Sequence, residues 1–171
     1  MRDGLKNCDP LVLAAAAIAA IGAATLGGAW FFQYALDIKP CPLCLEQRYA
    51  YYLIIPLAAL IAWARTRGLG ARLAMLGLCV IALAALANTV LGSYHAGVEW
   101  GFWPGPTDCS GTPDFSSGGS LLSKLNNVRV VRCDEVQWRF LGLSLAGYNV
   151  LISLVMTALA GWGVFRARNT A

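Results

Sequence analysis

Four long apolar stretches constrain this chain more than any other feature of its sequence. They lie at about Leu11–Phe32, Tyr49–Ala64, Leu73–Leu91 and Phe140–Phe165. A helix needs about 20 mainly apolar residues to cross the roughly 30 Å hydrocarbon core of a bilayer. Only 13% of the residues are charged, against about 25% in a typical soluble domain. The sequence therefore predicts an all-α membrane protein, a four-transmembrane-helix bundle forming a single integral domain over residues 1–171.

The first apolar stretch has the alternative of being a signal peptide, because Arg2 and Lys6 precede an alanine-rich run. It is longer than the roughly 7–15 residues of a signal-peptide core. It also ends in Trp30, Phe31 and Phe32, where a cleavage site would need small residues. We therefore expect it to be a retained membrane span.

The basic residues predict how the bundle is oriented. One side holds both termini and the short 65–72 loop, with seven basic residues against Asp3 and Asp9, a net charge of +5. The other side holds two loops, at about 33–48 and 94–139, with a net charge of −1. Short basic segments stay in the cytoplasm, so we expect both termini there. The overall charge of +4 is explained by anionic lipid, and no nucleic-acid partner is expected.

The longer outer loop contains a flexible Ser/Gly stretch at 116–120 and then an apolar group with Lys124 beside it, formed by Leu121, Leu122 and Leu125. Two interpretations of this group remain open. It either forms a short amphipathic helix on the membrane surface or belongs to a partly ordered connection.

The predicted topology places the six cysteines of the chain in different environments. Cys41, Cys44, Cys109 and Cys133 fall in the outer loops, while Cys8 precedes the first span and Cys79 lies within the third. Disulfides persist in oxidising compartments such as the bacterial periplasm and are rare in the cytosol. The four outer cysteines can therefore pair, in any of three ways. Cys79 is best explained by packing, and neither it nor Cys8 is given a role.

The Cys41-Pro42-Leu43-Cys44 motif stands where the second helix begins. The first turn of a helix has unpaired N–H groups and a partial positive charge, and both stabilise a thiolate. Arg48, four residues after Cys44, adds a positive charge on the same helix face. The spacing favours redox chemistry. A purely structural bridge remains an alternative, as does a zinc site completed by Cys109 and Cys133.

The pair Cys109 and Cys133 allows two interpretations as well. A lone cysteine pair in an exported loop is commonly a structural staple. The surrounding segment, however, is rich in Gly, Ser and Pro, so it gains little from rigid stapling. Such a segment is suited to presenting a reachable disulfide to another protein.

Catalytic cysteines would need an acceptor for two electrons. The chain has no G-x-G-x-x-G fingerprint for a nicotinamide or flavin, and no C-x-x-C-H or iron–sulfur spacing. Its single histidine, His95, excludes a bis-histidine haem. The remaining acceptor is a quinone that docks from the lipid near Arg48 and Cys44. His95 either bonds a quinone oxygen, passes a proton, or has no partner at the membrane surface.

The chain resembles the bacterial disulfide bond formation protein B (DsbB) family in two runs, KPCPLCLEQRY at 39–49 and WRFLGLS at 138–144. The resemblance covers the whole chain. It implies an inner-membrane oxidoreductase with its active cysteines on the periplasmic side. It also implies quinone, either ubiquinone or menaquinone, as the cofactor, with no metal, haem or flavin.

The resemblance further implies a role for each outer cysteine. A reduced thioredoxin-fold thiol oxidase, DsbA-like, attacks a Cys109–Cys133 disulfide at Cys109, and Cys133 resolves the mixed disulfide. The electrons then pass to Cys41 and Cys44. Cys44, as a thiolate, donates them to quinone held near Arg48 and His95.

Two other functions remain possible at this stage. A thiol oxidoreductase of the vitamin K epoxide reductase type would carry its C-x-x-C near a later helix, unlike this chain. A non-catalytic membrane scaffold would use its cysteines as structural bridges or as metal ligands.

Overall fold

Four long helices form the protein in a computed structural model that describes residues 9–106 and 132–170. They are α1 (Pro10–Tyr34), α2 (Pro42–Thr66), α3 (Ala71–Glu99) and α4 (Leu145–Thr170). All four are long and apolar enough to cross a membrane. The predicted four-helix membrane bundle is confirmed.

Two helices begin at a capping residue followed by proline. Asp9 accepts a hydrogen bond from the N–H of Leu11 at 2.9 Å, and Pro10 opens α1. Cys41 caps α2 in the same way, with Pro42 at the first helical position. Proline fits there because its missing N–H would have had no partner within the helix. Both start points therefore follow from local sequence chemistry.

The helices form a ring in chain order. α1 packs on α2, α2 on α3, α3 on α4 and α4 on α1, while α1 and α3 barely touch. Small residues let the backbones approach: a Cβ added at Gly163 would lie 2.7 Å from the Cβ of Ala14. Ile18, Ile54, Ile81 and Met156 fill the centre with no exposed surface. The outward side chains, such as Leu76 and Leu83, are left for lipid.

Three helix boundaries differ from the predicted spans. α2 begins at Pro42 instead of near Tyr49. Cys41 caps the helix at that point, whereas the charged residues of the first turns lower their mean hydropathy and so keep them out of the predicted span. α3 continues past Leu91 to Glu99, because its last turns find polar partners within the bundle. α4 begins at Leu145, since 140–144 belong to a hairpin. The first difference agrees with the helical position that the motif predicted for Arg48, and the second brings His95 into a helix.

A two-stranded hairpin precedes α4. Strand β1 (Arg139–Phe140) pairs antiparallel with β2 (Leu143–Ser144). Leu141 and Gly142 make the turn with φ of 47° and 84°. Positive φ at both central residues is the turn geometry that suits the twist of a hairpin. The run at 138–144, which resembles the DsbB family, therefore contains a turn that sets where α4 begins. The surface helix considered for 121–125 lies outside the described residues.

Candidate functional site

The thiols of the C-x-x-C motif meet at the N-terminus of α2. Cys41 is buried, and its sulfur accepts a hydrogen bond from the N–H of Cys44 at 3.3 Å. The two Sγ atoms are 3.0 Å apart, and both cysteines are free thiols. The motif spacing produces this contact because the N-cap and the third helical residue face each other across the first turn.

His95 joins this pair from α3. Its Nε2 lies 3.6 Å from the Sγ of Cys41, and the ring is buried. The donor atoms of Cys41, Cys44 and His95 lie within 4.8 Å of one another. The extra turns of α3 make this possible, because they carry His95 to the depth at which α2 begins.

Glu99 lies one helical turn beyond His95. Its Oε1 is 3.8 Å from the histidine Nε2, and its side chain is only 7% exposed. Its Oε2 is buried without a hydrogen-bond partner in the described part of the chain. A polar atom left unpaired in this way is costly unless a ligand or water meets it. Glu99 therefore belongs to the site, although the sequence analysis gave it no role.

The local environment makes Cys41 a strong acid for a thiol. Hydrogen bonding with Cys44 is the main reason that the pKa of Cys41 falls from 9.0 to about 5. Hydrogen bonding with His95 lowers the pKa of Cys41 further, while burial opposes both effects. At neutral pH the reduced pair therefore holds a thiolate at Cys41, and the thiolate is the reactive form of cysteine.

A cavity of about 400 Å³ opens beside the cysteines. Cys44, Arg48, His95 and Glu99 supply polar groups to its wall, whereas Phe32, Trp138 and Phe140 supply aromatic ones. Pockets of about 300–1,000 Å³ with a few polar groups in an apolar lining hold small organic ligands. The cavity therefore suits a flat, largely apolar molecule next to a thiol.

The hairpin and α1 hold the aromatic wall in place. Trp138 packs on Phe32 with ring centroids 4.9 Å apart and stacks on Phe140 at 5.9 Å. The Arg48 Nη1 donates to the Oε1 of Gln33 at 2.6 Å, which ties α2 to the end of α1. The two runs that resemble the DsbB family, at 39–49 and 138–144, thus both contribute to one cavity.

Cys133 lies next to this centre. It is buried in one cluster with Cys41, Leu43 and Val98, and it is disulfide-bonded. Cys109, the partner expected for it, lies outside the described residues. A disulfide sulfur cannot serve as a thiolate ligand, so the zinc site that would have used Cys133 does not fit this geometry.

Among the predicted site residues, the structure brings Cys41, Cys44, Arg48 and His95 together around one cavity and sets Cys133 against Cys41. Glu99, Gln47 and Asn149 line the same cavity, although no role was predicted for them from the sequence. The available signal was their polarity, since side chains of this kind are rare in membrane helices unless they have a function.

Comparisons with known proteins show the family to which this chain belongs. The model of the family described as "Disulfide bond formation protein DsbB" matches residues 12–163. A disulfide bond formation protein B of Azoarcus sp. (strain BH72) is 33% identical over 168 residues, 95% of this chain and 96% of the relative. A protein of the same name from Aromatoleum aromaticum is 30% identical, over 87% of this chain and 89% of the relative.

A third protein of that name, from Hahella chejuensis, is 31% identical over 80% of this chain and 83% of the relative. Such likeness extends over the helices, the C-x-x-C motif and the hairpin together. The chain is thus a member of the DsbB family, the membrane proteins of disulfide bond formation.

Proposed function

We propose that this protein reoxidises a reduced, DsbA-like thiol oxidase of the thioredoxin fold in the periplasm and passes the electrons to membrane quinone. One observation carries the proposal: Cys133, already in a disulfide, packs in the same buried cluster as Cys41, beside a cavity lined by Cys44. Cys133 of the outer pair, Cys41 of the inner pair and the cavity beside Cys44 then follow one another in space. That is the arrangement an electron relay needs.

The relay runs through two exchanges of disulfides. The partner's dithiol attacks a Cys109–Cys133 disulfide at Cys109 and leaves oxidised, and its two electrons remain on that pair as thiols. Exchange with the Cys41–Cys44 disulfide then restores the outer bridge and leaves Cys41 and Cys44 reduced. Each exchange breaks one S–S bond and forms another, so electrons and protons balance. Cys41, with a pKa of about 5, leaves readily as a thiolate in the second exchange.

The cavity beside Cys44 fits a quinone ring. It is large enough for one ring, its wall is mainly apolar and aromatic, and Arg48 contributes a fixed N–H donor at one side. Arg48, Cys44 and His95 would hold the ring, which can be that of ubiquinone or menaquinone. A bound quinone supplies an acceptor for two electrons and two protons. Cys41 and Cys44 supply both electrons as they close their own S–S bond. The Cys44 thiol supplies one proton, and the second, which Cys41 loses when it forms its thiolate, comes from solvent at the cysteine end of the bundle.

The proposal includes a location. The protein would lie in the bacterial inner membrane with both termini in the cytoplasm and the active cysteines on the periplasmic side. The distribution of basic residues supports this orientation. An ion pair between Arg65 and Asp9, at 2.7 Å, lies at the end of the bundle opposite the cysteines.

The test is a quinone-reduction assay with the purified protein, a reduced thioredoxin-fold oxidase and added quinone. Cys44→Ser removes the sulfur that lines the cavity, so we expect quinone reduction to fall to background. Cys79→Ser, an exposed free thiol elsewhere on α3, is the matched control and should leave the rate unchanged. Intact quinone-dependent turnover in Cys44→Ser would refute the scheme.

A further inference from the structure

A chain of buried polar side chains lies behind His95. The hydroxyl of Tyr51 donates to Asn149 Oδ1 at 2.6 Å, and Asn149 Nδ2 donates to Gln47 Oε1 at 2.5 Å. Gln47 Nε2 then lies 2.8 Å from His95 Nδ1. All four side chains are buried, so each hydrogen bond is made with protein and its direction matters.

A backbone carbonyl fixes the direction of this chain. Gln47 Nε2 lies 3.2 Å from the carbonyl oxygen of Leu43, which can only accept a hydrogen bond. The Gln47 amide atom that faces Leu43 is therefore the nitrogen of its NH₂ group. The opposite orientation would bring two oxygens together at Leu43 and two NH₂ groups together at Asn149. Asn88 belongs to the same network, with its Nδ2 3.2 Å from Asn149 Oδ1 and 3.1 Å from Ser153 Oγ.

The histidine tautomer follows from the amide. An NH₂ group facing Nδ1 requires that Nδ1 accept, and a neutral imidazole then carries its one hydrogen on Nε2. Nε2 is the atom 3.6 Å from the Cys41 sulfur. We propose that Gln47 and Asn149 hold His95 in the Nε2–H tautomer, so that His95 acts as a hydrogen-bond donor to the Cys41 thiolate and not as its base.

This assignment gives separate roles to the three residues. His95 touches the reacting sulfur, whereas Gln47 and Asn149 act through it as positioning residues. The inference rests on the proposed function only in taking Cys41 as a reacting thiol. It agrees with the acidity of Cys41, which a nearby N–H donor increases. The remaining titratable or charged groups around this pair and its cavity are Cys44, Glu99, Lys39, Arg48, Tyr51, Arg132, Glu135 and Tyr148.

The single histidine permits a direct test by nitrogen NMR. The protein is labelled with ¹⁵N-histidine, reduced, freed of quinone and purified through a tag without histidine. We expect a protonated Nε2 and an unprotonated Nδ1. A protonated Nδ1 in the wild-type protein would overturn the proposal, whatever the variants do. Because no quinone is present, this result is independent of whether the protein reduces quinone.

The second measurement is the pH dependence of Cys41 alkylation by iodoacetamide, followed by peptide mass spectrometry. In the wild-type protein the rate should rise with pH through about 5, where the thiol loses its proton. Gln47→Leu removes the donor to Nδ1 and leaves both tautomers populated. The midpoint should then move up by about one pH unit, since a hydrogen bond to a charged group contributes that much.

Ser93→Ala is the matched control on α3. Within the described residues, the Ser93 hydroxyl bonds to the carbonyl of Thr89 and does not line the cavity. It should leave both the tautomer and the midpoint unchanged. An unchanged midpoint in Gln47→Leu, with an unchanged Nε2–H signal, would show that the amide does not set the tautomer. Asn149→Leu provides a second variant, and its midpoint should rise as well.

Discussion

Arg48 is the residue whose position adds most to the chemistry of the cysteines. Its guanidinium donates to Gln33 at 2.6 Å and forms part of the cavity wall that Cys44 also lines. A guanidinium held by a second helix offers its remaining N–H groups in a fixed direction. In a mainly apolar cavity, such a donor interacts strongly with an oxygen that gains negative charge.

Replacing Arg48 by uncharged Gln should therefore weaken quinone reduction. We expect kcat/KM for quinone to fall about tenfold to a hundredfold, the effect of losing one hydrogen bond to a charged group. Steady-state rates at varied quinone concentration measure the change. Arg65→Gln removes an arginine at the opposite end of the bundle and should leave these constants unaltered. Equal constants for Arg48→Gln and wild type would count against the role of Arg48.

At the scale of single residues, the sequence could predict the two reactive cysteines and the nearby Arg48. It could not predict the hydrogen bonds that the site residues make. C-x-x-C spacing and the i, i+4 relation of Cys44 to Arg48 lie within one helix, so local geometry is enough. The partner of His95 is different. It depends on which face of α3 meets α2 and on which way the Gln47 amide points, and both come from packing between helices.

Helix boundaries determine which residues reach the cavity. Hydropathy predicted a late start for α2 and an early end for α3, because polar residues lower the average near both ends. Capping by Cys41 and the buried partners of His95 extend the two helices instead. The hairpin before α4 was predicted as part of the membrane span, because Phe140, Leu141 and Leu143 are apolar and raise the mean hydropathy. The turn itself depends on Gly142.

The hairpin turn allows a prediction at this scale. Gly142 has a φ of 84°, which an L-residue adopts only at a cost of about 1–2 kcal/mol. Gly142→Ala should therefore lower the thermal unfolding temperature and raise KM for quinone, because Phe140 and Trp138 lose their fixed positions on the cavity wall.

Gly27→Ala is the control for this change. Gly27 is helical, nothing lies within 4 Å of an added Cβ, and alanine is the better helix former. Its unfolding temperature should stay equal or rise. If Gly142→Ala melted at the wild-type temperature and kept the wild-type KM, the turn would have no part in shaping the cavity.

At the scale of the whole molecule, the ring of helices gathers distant segments at one end. Cys41 at the start of α2, His95 on α3 and Trp138 before α4 are far apart in the sequence, yet they border one cavity. Four apolar stretches predicted the number of helices. They did not predict which segments meet, because outward faces are as apolar as inward ones in a membrane protein and so carry little pattern.

A single substitution should separate the roles of the two cysteine pairs in the intact protein. Cys109→Ser should abolish oxidation of the reduced thioredoxin-fold oxidase while leaving oxidation of dithiothreitol by quinone, because the small dithiol can reduce Cys41–Cys44 directly. Quinone reduction driven by each dithiol measures the difference. Equal loss with both substrates would mean that the outer pair is structural and not a relay.

The polar chain behind His95 ends partway through the bundle. It stops at Asn88 and Ser153, and the buried side chains packed beyond them in the described helices are apolar, among them Ile61, Leu78, Met156 and Ala160. The described helices therefore offer no continuous hydrogen-bonded route for protons from the cysteines to the far face. In the proposed relay, the protons that reach the quinone would come from the side of the cysteines, and none would cross the bilayer through the protein. Such turnover would be electrically silent, so the voltage across the membrane would neither drive nor oppose it.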